Sequence, residues 1–203
     1  MNRPRRGSLP ALSDAELFER FQAVSPGPLK RLSLEALAAH YRELARWNPL
    51  LSLVGPGTES EVFERHYGES LAALPLVEGQ RATLVDLGSG GGFPGFVLAA
   101  TCPELEVVLI EAQQRKAAFL DAARRRASLS LRVLNARVSG SLPSGWPAAT
   151  NIVTSRAVRL DPEILRPVTA ALGSADPSRA PRLLLWAGRE PLDLPAPWRI
   201  TRR

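Results

Sequence analysis

Between residues 84 and 95 the chain reads Leu84-Val85-Asp86-Leu87-Gly88-Ser89-Gly90-Gly91-Gly92-Phe93-Pro94-Gly95, an apolar run that breaks into four glycines within five residues. Every glycine costs backbone entropy on folding, so a plain strand-to-helix turn gains nothing from four of them. What they do supply is a sharp turn whose bare N–H groups can approach a ligand, and Pro94 suits the first turn of a helix that follows. The stretch therefore predicts a strand, a ligand-bearing turn and a helix in direct succession.

The flanking patterns make this unit one of several. From Arg81 onward short apolar runs alternate with amphipathic stretches, as parallel strands joined by helical crossovers do. The runs cover 82–87, 106–110, 129–134, 151–154 and 183–186, with a last candidate strand at 198–201, and helices are predicted near 94–100, 113–127 and 161–172. Residues 1–78 read as helical instead. A basic tail leads to Ser13-Asp14-Ala15-Glu16, a capping box that opens a helix to about Ala23, and Pro26 and Pro28 break it. A second helix sets Leu34, Leu37, Ala38, Tyr41, Leu44 and Ala45 on one face at spacings of three and four. Thr58-Glu59-Ser60-Glu61 reads as another capping box, opening a third helix through Val62, His66 and Leu71 to about Leu76. The expected architecture is one α/β domain over 1–203, with a helical extension at 1–78 and an open parallel sheet at 79–203. On such sheets ligands sit at the carboxyl ends of the strands, near the reversal of strand order.

Two cofactor chemistries compete for the glycine turn. Gly90-Gly91-Gly92-Phe93-Pro94-Gly95 satisfies the G-x-G-x-x-G pattern of dinucleotide sites, with Glu111 following at about the spacing such sites use. Asp86, two residues before Gly88, and the G-x-G-x-G spacing of Gly88, Gly90 and Gly92 favour S-adenosylmethionine. An acid there attracts the cationic methionine end, directly or through a water, and repels a pyrophosphate. Glu111 ends the second run, where a carboxylate can accept from both hydroxyls of a ribose, as both cofactor classes require.

Composition narrows the rest. No run of about 18 apolar residues occurs, and the basic start lacks the apolar segment of a signal peptide, so a cytoplasmic location and no membrane contact are expected. A lone cysteine, Cys102, forms no internal disulfide and reads as packing; no metal site is expected. The net charge of +6 suits a polyanionic partner, although arginine supplies nearly all of it, Lys30 and Lys116 being the only lysines, and genome composition alone can produce such a bias.

Further motifs lie in order along the chain: Arg46-Trp47-Asn48 with Leu51-Ser52-Leu53; Glu64-Arg65-His66 with Glu69-Ser70-Leu71; the glycine loop; Leu109-Ile110-Glu111 followed by Arg115-Lys116-Ala117-Ala118-Phe119-Leu120; and Thr154-Ser155-Arg156-Ala157-Val158. With them the chain, from about Leu34 to Gly188, resembles the RsmG (GidB) family, bacterial methyltransferases that act on N7 of a guanine in small-subunit (16S) ribosomal RNA. The resemblance implies a Rossmann-like class I S-adenosylmethionine-dependent methyltransferase sheet. It also implies cofactor contacts at Gly88 and Phe93 in the loop, at Val138 and Ser139 after the third strand, and at Arg156, which is also the one candidate for a direct catalytic role. Asp86, Ser89, Gly90, Gly92 and Glu111 complete the expected pocket. The implied partner is 16S ribosomal RNA or the small ribosomal subunit, and a monomer is expected. His66 reads as a hydrogen-bonded structural residue, with Arg65 and His66 a secondary candidate pair lining the site.

The sequence departs from the family pattern in three places. Ser139 stands where an acidic residue is usual, so the adenine loses a carboxylate partner; Trp186-Ala187-Gly188 lacks the usual lysine ahead of the glycine; and the chain ends at Arg203, where relatives continue through a closing hairpin. Guanine N7 presents its lone pair at neutral pH, so the implied chemistry needs no general base and rests on alignment. Arg3, Arg5 and Arg6, and the run Arg124-Arg125-Arg126 with Arg132, are candidate phosphate contacts, a solvated helix face being the simpler reading of the run. A small-molecule methyltransferase would share the whole pocket. A non-catalytic RNA-binding relative would share the fold, with Ser139 and Trp186 as its signature.

Overall fold

The structure, a computed structural model, describes residues 7–55, 57–156, 160–173 and 181–186. The basic tail at 1–6, Ala157, Val158, Gly188 and the candidate strand at 198–201 lie outside the described residues.

The capping box at Ser13 is realised. Glu16 N–H donates to the Ser13 hydroxyl, the Ser13 N–H donates to the Glu16 carboxylate at 2.8 Å, and helix α1, Asp14–Val24, follows. Helix α2, Arg31–Leu51, buries Leu37, Ala38, Tyr41 and Leu44 as its spacing predicts, with His40 and Asn48 among them.

The third helix departs from expectation. Thr58 makes no side-chain cap bond: its backbone, at φ −103° and ψ 7°, lies outside the extended conformation that an N-cap uses, and its hydroxyl donates to the Gly55 carbonyl at 2.7 Å. A 3₁₀ turn at Glu59–Glu61 leads into a π-helix, Val62–Gly68, and two short helices, α3, Glu69–Leu71, and α4, Leu74–Val77. Pro75, with no N–H and restraint on the residue before it, accounts for the interruption between the last two.

Five strands follow: β1 Ala82–Leu87, β2 Leu105–Glu111, β3 Arg132–Asn135, β4 Ile152–Arg156 and β5 Arg182–Trp186. All pair in parallel, in the order β3-β2-β1-β4-β5. The third strand starts later than its apolar run because Leu129 N–H bonds back to the Arg124 carbonyl at 2.9 Å, closing helix α6, Gln114–Arg126. Helices α5, Gly95–Thr101, and α7, Pro162–Gly173, join β1 to β2 and β4 to β5, and residues 136–151 link β3 to β4 without a helix.

Both faces of the sheet are covered, which is why its strands read as near-continuous apolar runs. On one face Leu84, Val107, Leu109 and Ile152 join Leu37, Tyr41, Tyr67, Phe96 and Phe119 in a buried cluster continuous with the N-terminal helices. On the other, Val85, Leu87, Val108, Ile110 and Val153 pack with Val168 and Leu172 of α7. The chain reverses direction across the sheet between β1 and β4, so the carboxyl ends of β1, β2 and β4 converge beside that reversal.

Candidate functional site

Backbone bonds hold the glycine loop before any ligand arrives. Gly88 and Ser89 both donate their N–H groups to the Ile110 carbonyl, at 2.9 and 3.1 Å, and so tie the loop to the end of β2. Gly90 N–H donates to Glu111 Oε2 at 2.9 Å, and Gln113 N–H to Oε1 at 2.7 Å. These bonds fix the plane of the Glu111 carboxylate, and each oxygen keeps a lone pair for a further donor. At two positions only glycine fits. Gly92 has φ +89°, and a Cβ there would lie 2.8 Å from His40 Nε2; a Cβ on Gly95 would lie 2.6 Å from both Asp86 Cβ and Leu109 Cδ2.

Over the loop opens a cavity of about 540 Å³, within the range of ligand pockets. Of the residues expected at the site, Gly88, Ser89, Gly90, Phe93, Glu111, Val138 and Arg156 line it. Arg65 and His66 line it too, so the secondary pair belongs to the wall. Three expected residues do not line it. Gly92 faces His40 and Phe96. Ser139 is exposed, and its hydroxyl donates to the Glu163 carboxylate at 3.1 Å, which places an acid beside the position where the family carries one.

Asp86 is the third. It lies fully buried behind the loop, paired in register with Thr154 of β4, whose hydroxyl donates to Oδ1 at 2.7 Å. Burial pushes its carboxyl up to about 6; the Thr154 hydroxyl opposes this most strongly, followed by Ser89 and the Gly95 N–H. Neither of the last two reaches hydrogen-bond geometry with Oδ2, which is buried without a partner among the described residues.

Arg156 ends β4 at the opposite wall. Its Nη2 pairs with Glu69 Oε2 at 2.9 Å, while its Nη1 is buried without a partner among the described residues. Trp186, the neighbour of Arg156 in the sheet, donates Nε1–H to the Glu69 backbone carbonyl at 2.8 Å. Trp186 thus steadies the residue whose acid orients Arg156. The cavity wall accordingly offers an unfilled cationic donor in Arg156, suited to a carboxylate, while the unfilled acceptor of Asp86 lies behind the loop.

His66, half-buried, touches the Thr58 hydroxyl at 3.2 Å and stacks obliquely on Phe93 with ring centres 5.1 Å apart. Burial, with help from Arg156 and Arg65, holds its imidazole down to about 4, so it is neutral at pH 7. Arg65, Lys116 and Arg137 bring positive charge to the cavity wall. The arginine run lies eight to ten residues beyond Lys116 on α6, about 12–15 Å along the helix axis, and is paired internally. Arg124 meets Asp121 at 2.6 Å, Arg126 meets Glu43 at 3.3 Å, and Arg132 meets Glu106 at 3.9 Å.

Sequence reasoning missed His40, Thr154, Glu69 and Lys116. Thr154, Glu69 and Lys116 stood in the motifs that carry the resemblance without a site role, and His40 left a signal as a histidine at helical spacing within the apolar set Leu37, Tyr41 and Leu44. Cys102 is buried, as its packing role requires. Among the described residues no cluster of three His, Cys, Asp or Glu side chains could hold a metal ion.

Residues 33–168 match the family model described as rRNA small subunit methyltransferase G. A curated protein of that name from Methylobacterium radiotolerans is 35% identical over 161 residues, which are 78% of this chain and 72% of the relative. Another, from Paramagnetospirillum magneticum, is 36% identical over 152 residues, 75% of this chain and 68% of the relative. Among solved structures, a Plasmodium falciparum protein described as a protein-L-isoaspartate O-methyltransferase, in complex with S-adenosyl-L-homocysteine, is 11% identical with a TM-score of 0.45, covering 76% of this chain and 79% of the other.

Proposed function

The chain belongs to the rRNA small subunit methyltransferase G family, and on that footing we propose that its cavity holds S-adenosylmethionine and presents the methyl group to N7 of a guanine in 16S ribosomal RNA. The observation that carries the assignment is Arg156 Nη1, orphaned on a residue of the cavity wall, facing a loop whose charge is set by Asp86 buried behind it. The methionine end of the cofactor bears a carboxylate, which Arg156 answers, and an ammonium, which the Asp86 charge behind the loop attracts. Glu111, its plane already fixed by two backbone N–H groups, is placed to accept from the ribose hydroxyls. Val138, with Ile164 nearby, supplies apolar wall for the adenine. Glu163, held on Ser139, offers the carboxylate that position 139 itself lacks.

When bound, the cofactor supplies a methyl group made electrophilic by the sulfonium. The protein's own part is alignment. N7 already carries its lone pair, so no side chain has to remove a proton, and neutral His66 fits a wall that need not act as a base. Holding nucleophile, methyl and leaving sulfur in line is worth on the order of several kcal/mol. Lys116 and Arg137, with Arg65 beside its exposed partner Glu61, are the cations at the wall that we assign to neighbouring RNA phosphates, ahead of the run at Arg124, which lies farther along α6. Phosphate contacts of this kind weaken steeply as salt rises. We read the chain as a cytoplasmic monomer acting on RNA of the small subunit; no helix among the described residues is long and apolar enough to cross a membrane.

Calorimetric titration with S-adenosylmethionine tests the pocket. Arg156→Ala removes a charge-assisted partner of the cofactor carboxylate, so its affinity should fall about tenfold or more while the fold persists. Affinity equal to wild type in that variant would contradict the assignment.

A further inference from the structure

His40 occupies a core position on α2, fully buried, its ring 4.3 Å from that of Phe96 and nearly perpendicular to that of Phe93. Nε2 lies 2.9 Å from the Gly91 carbonyl and Nδ1 lies 2.7 Å from the Tyr67 hydroxyl. A carbonyl can only accept, so the hydrogen sits on Nε2, and the bare Nδ1 of the neutral ring accepts from the Tyr67 O–H. The opposite tautomer would set two acceptors against each other at Gly91. Burial holds the imidazole down to about 3, so the ring stays neutral and this polarity persists.

Gly91 lines the cavity at the centre of the glycine loop. On its other side the Leu53 carbonyl lies close enough that a Cβ would approach it to 3.0 Å, and next to it Gly92 leaves the space that His40 Nε2 fills. The loop is thus gripped at Gly91 from the N-terminal helices while Glu111 grips Gly90 from the sheet.

We propose that His40 is a positioning residue of the cofactor site: through its bond to the Gly91 carbonyl it sets the loop in its binding conformation, making the N-terminal helical segment part of that site. The bond turns the Gly91 carbonyl away from the ligand and toward α2, and it resists the peptide flip that would point a carbonyl at the cofactor. The inference rests on reading the cavity as the S-adenosylmethionine site.

The test compares two variants with the full-length wild type. His40→Phe keeps a ring against Phe96 and loses the donor; His40→Gln returns an N–H near the place of Nε2. If the bond positions the loop, His40→Phe raises the dissociation constant and KM for S-adenosylmethionine about tenfold, leaves kcat at saturating cofactor within about threefold, and His40→Gln recovers most of the loss. Wild-type affinity in a folded His40→Phe overturns the proposal, as does equal loss in both variants. Should His40→Phe not fold, ¹⁵N spectra of the wild-type imidazole decide: a neutral, Nε2-protonated ring is expected, and an Nδ1-protonated or charged ring overturns the proposal. A wild type that binds no cofactor overturns the cavity reading and this inference together. Binding by wild type with unchanged binding in His40→Phe removes only the inference.

Discussion

Asp86, in the role proposed for it, would serve a site at the expense of the fold. Its carboxyl is pushed up to about 6 by burial, from an ordinary value of 3.8, so at pH 7 the folded protein carries a charge that it holds less well than the unfolded chain does. That difference amounts to about 2–3 kcal/mol of lost stability. Asp86→Asn keeps an oxygen for the Thr154 hydroxyl and removes the charge. Urea unfolding at pH 7 should therefore find the ligand-free variant more stable than wild type, while titration finds weaker S-adenosylmethionine binding. A variant destabilised at pH 7, or one with undiminished affinity, would remove Asp86 from the role argued for it. Arg156 is the counterpart, a guanidinium with one arm fastened to Glu69 and the other left without a protein partner.

Among the elements, the sheet was the more legible half. The central strands, buried on both faces, read as apolar runs, and the half-buried edge strands β3 and β5 were visible too; only the ends moved, as at Leu129, which α6 takes for its own closure. The glycine loop was legible because four glycines within five residues cost more backbone entropy than a plain turn repays. Capping chemistry was legible only where the backbone takes the extended conformation that a cap requires, as at Ser13 and not at Thr58. Ser13 caps α1 with both halves of its box, whereas Thr58 gives its hydroxyl to Gly55 and caps nothing. The difference is measurable: Ser13→Ala should cost about 1 kcal/mol in thermal or urea unfolding, and Thr58→Ala distinctly less. Equal costs would mean that the two residues act alike. What the sequence hid were contacts between distant segments. His40 meets Gly91 across 51 residues and Trp186 meets Glu69 across 117, and local periodicity carries no trace of such pairs. Asp86 was legible as an acid of the site but misplaced, because the pattern of one strand does not reveal that its neighbour brings Thr154 alongside.

At the scale of the whole molecule these buried groups set how stability responds to pH. His40 is held to about 3 against an ordinary 6.5, so below pH 6.5 the unfolded chain takes up a proton that the folded protein refuses. Stability then falls by about 1.4 kcal/mol per pH unit on that account. His66, held to about 4 but partly in solvent, adds a smaller loss of the same sign. Asp86 acts in the opposite sense between pH 6 and 3.8, where the folded state takes up the proton first. Net destabilisation on acidification from pH 6.5 to 4.5 is expected from urea unfolding, steeper in Asp86→Asn than in wild type; a rise in stability over that interval would contradict the assigned environments.

The fold, the gripped glycine loop and the cations at the cavity wall converge on a single reaction. Its direct test is transfer of labelled methyl from S-adenosylmethionine to small ribosomal subunits purified from a strain lacking its own guanine-N7 enzyme, with the modified nucleoside identified by mass spectrometry. The account predicts label in 16S ribosomal RNA as 7-methylguanosine; label in another nucleoside, or none from protein that binds the cofactor, would contradict it.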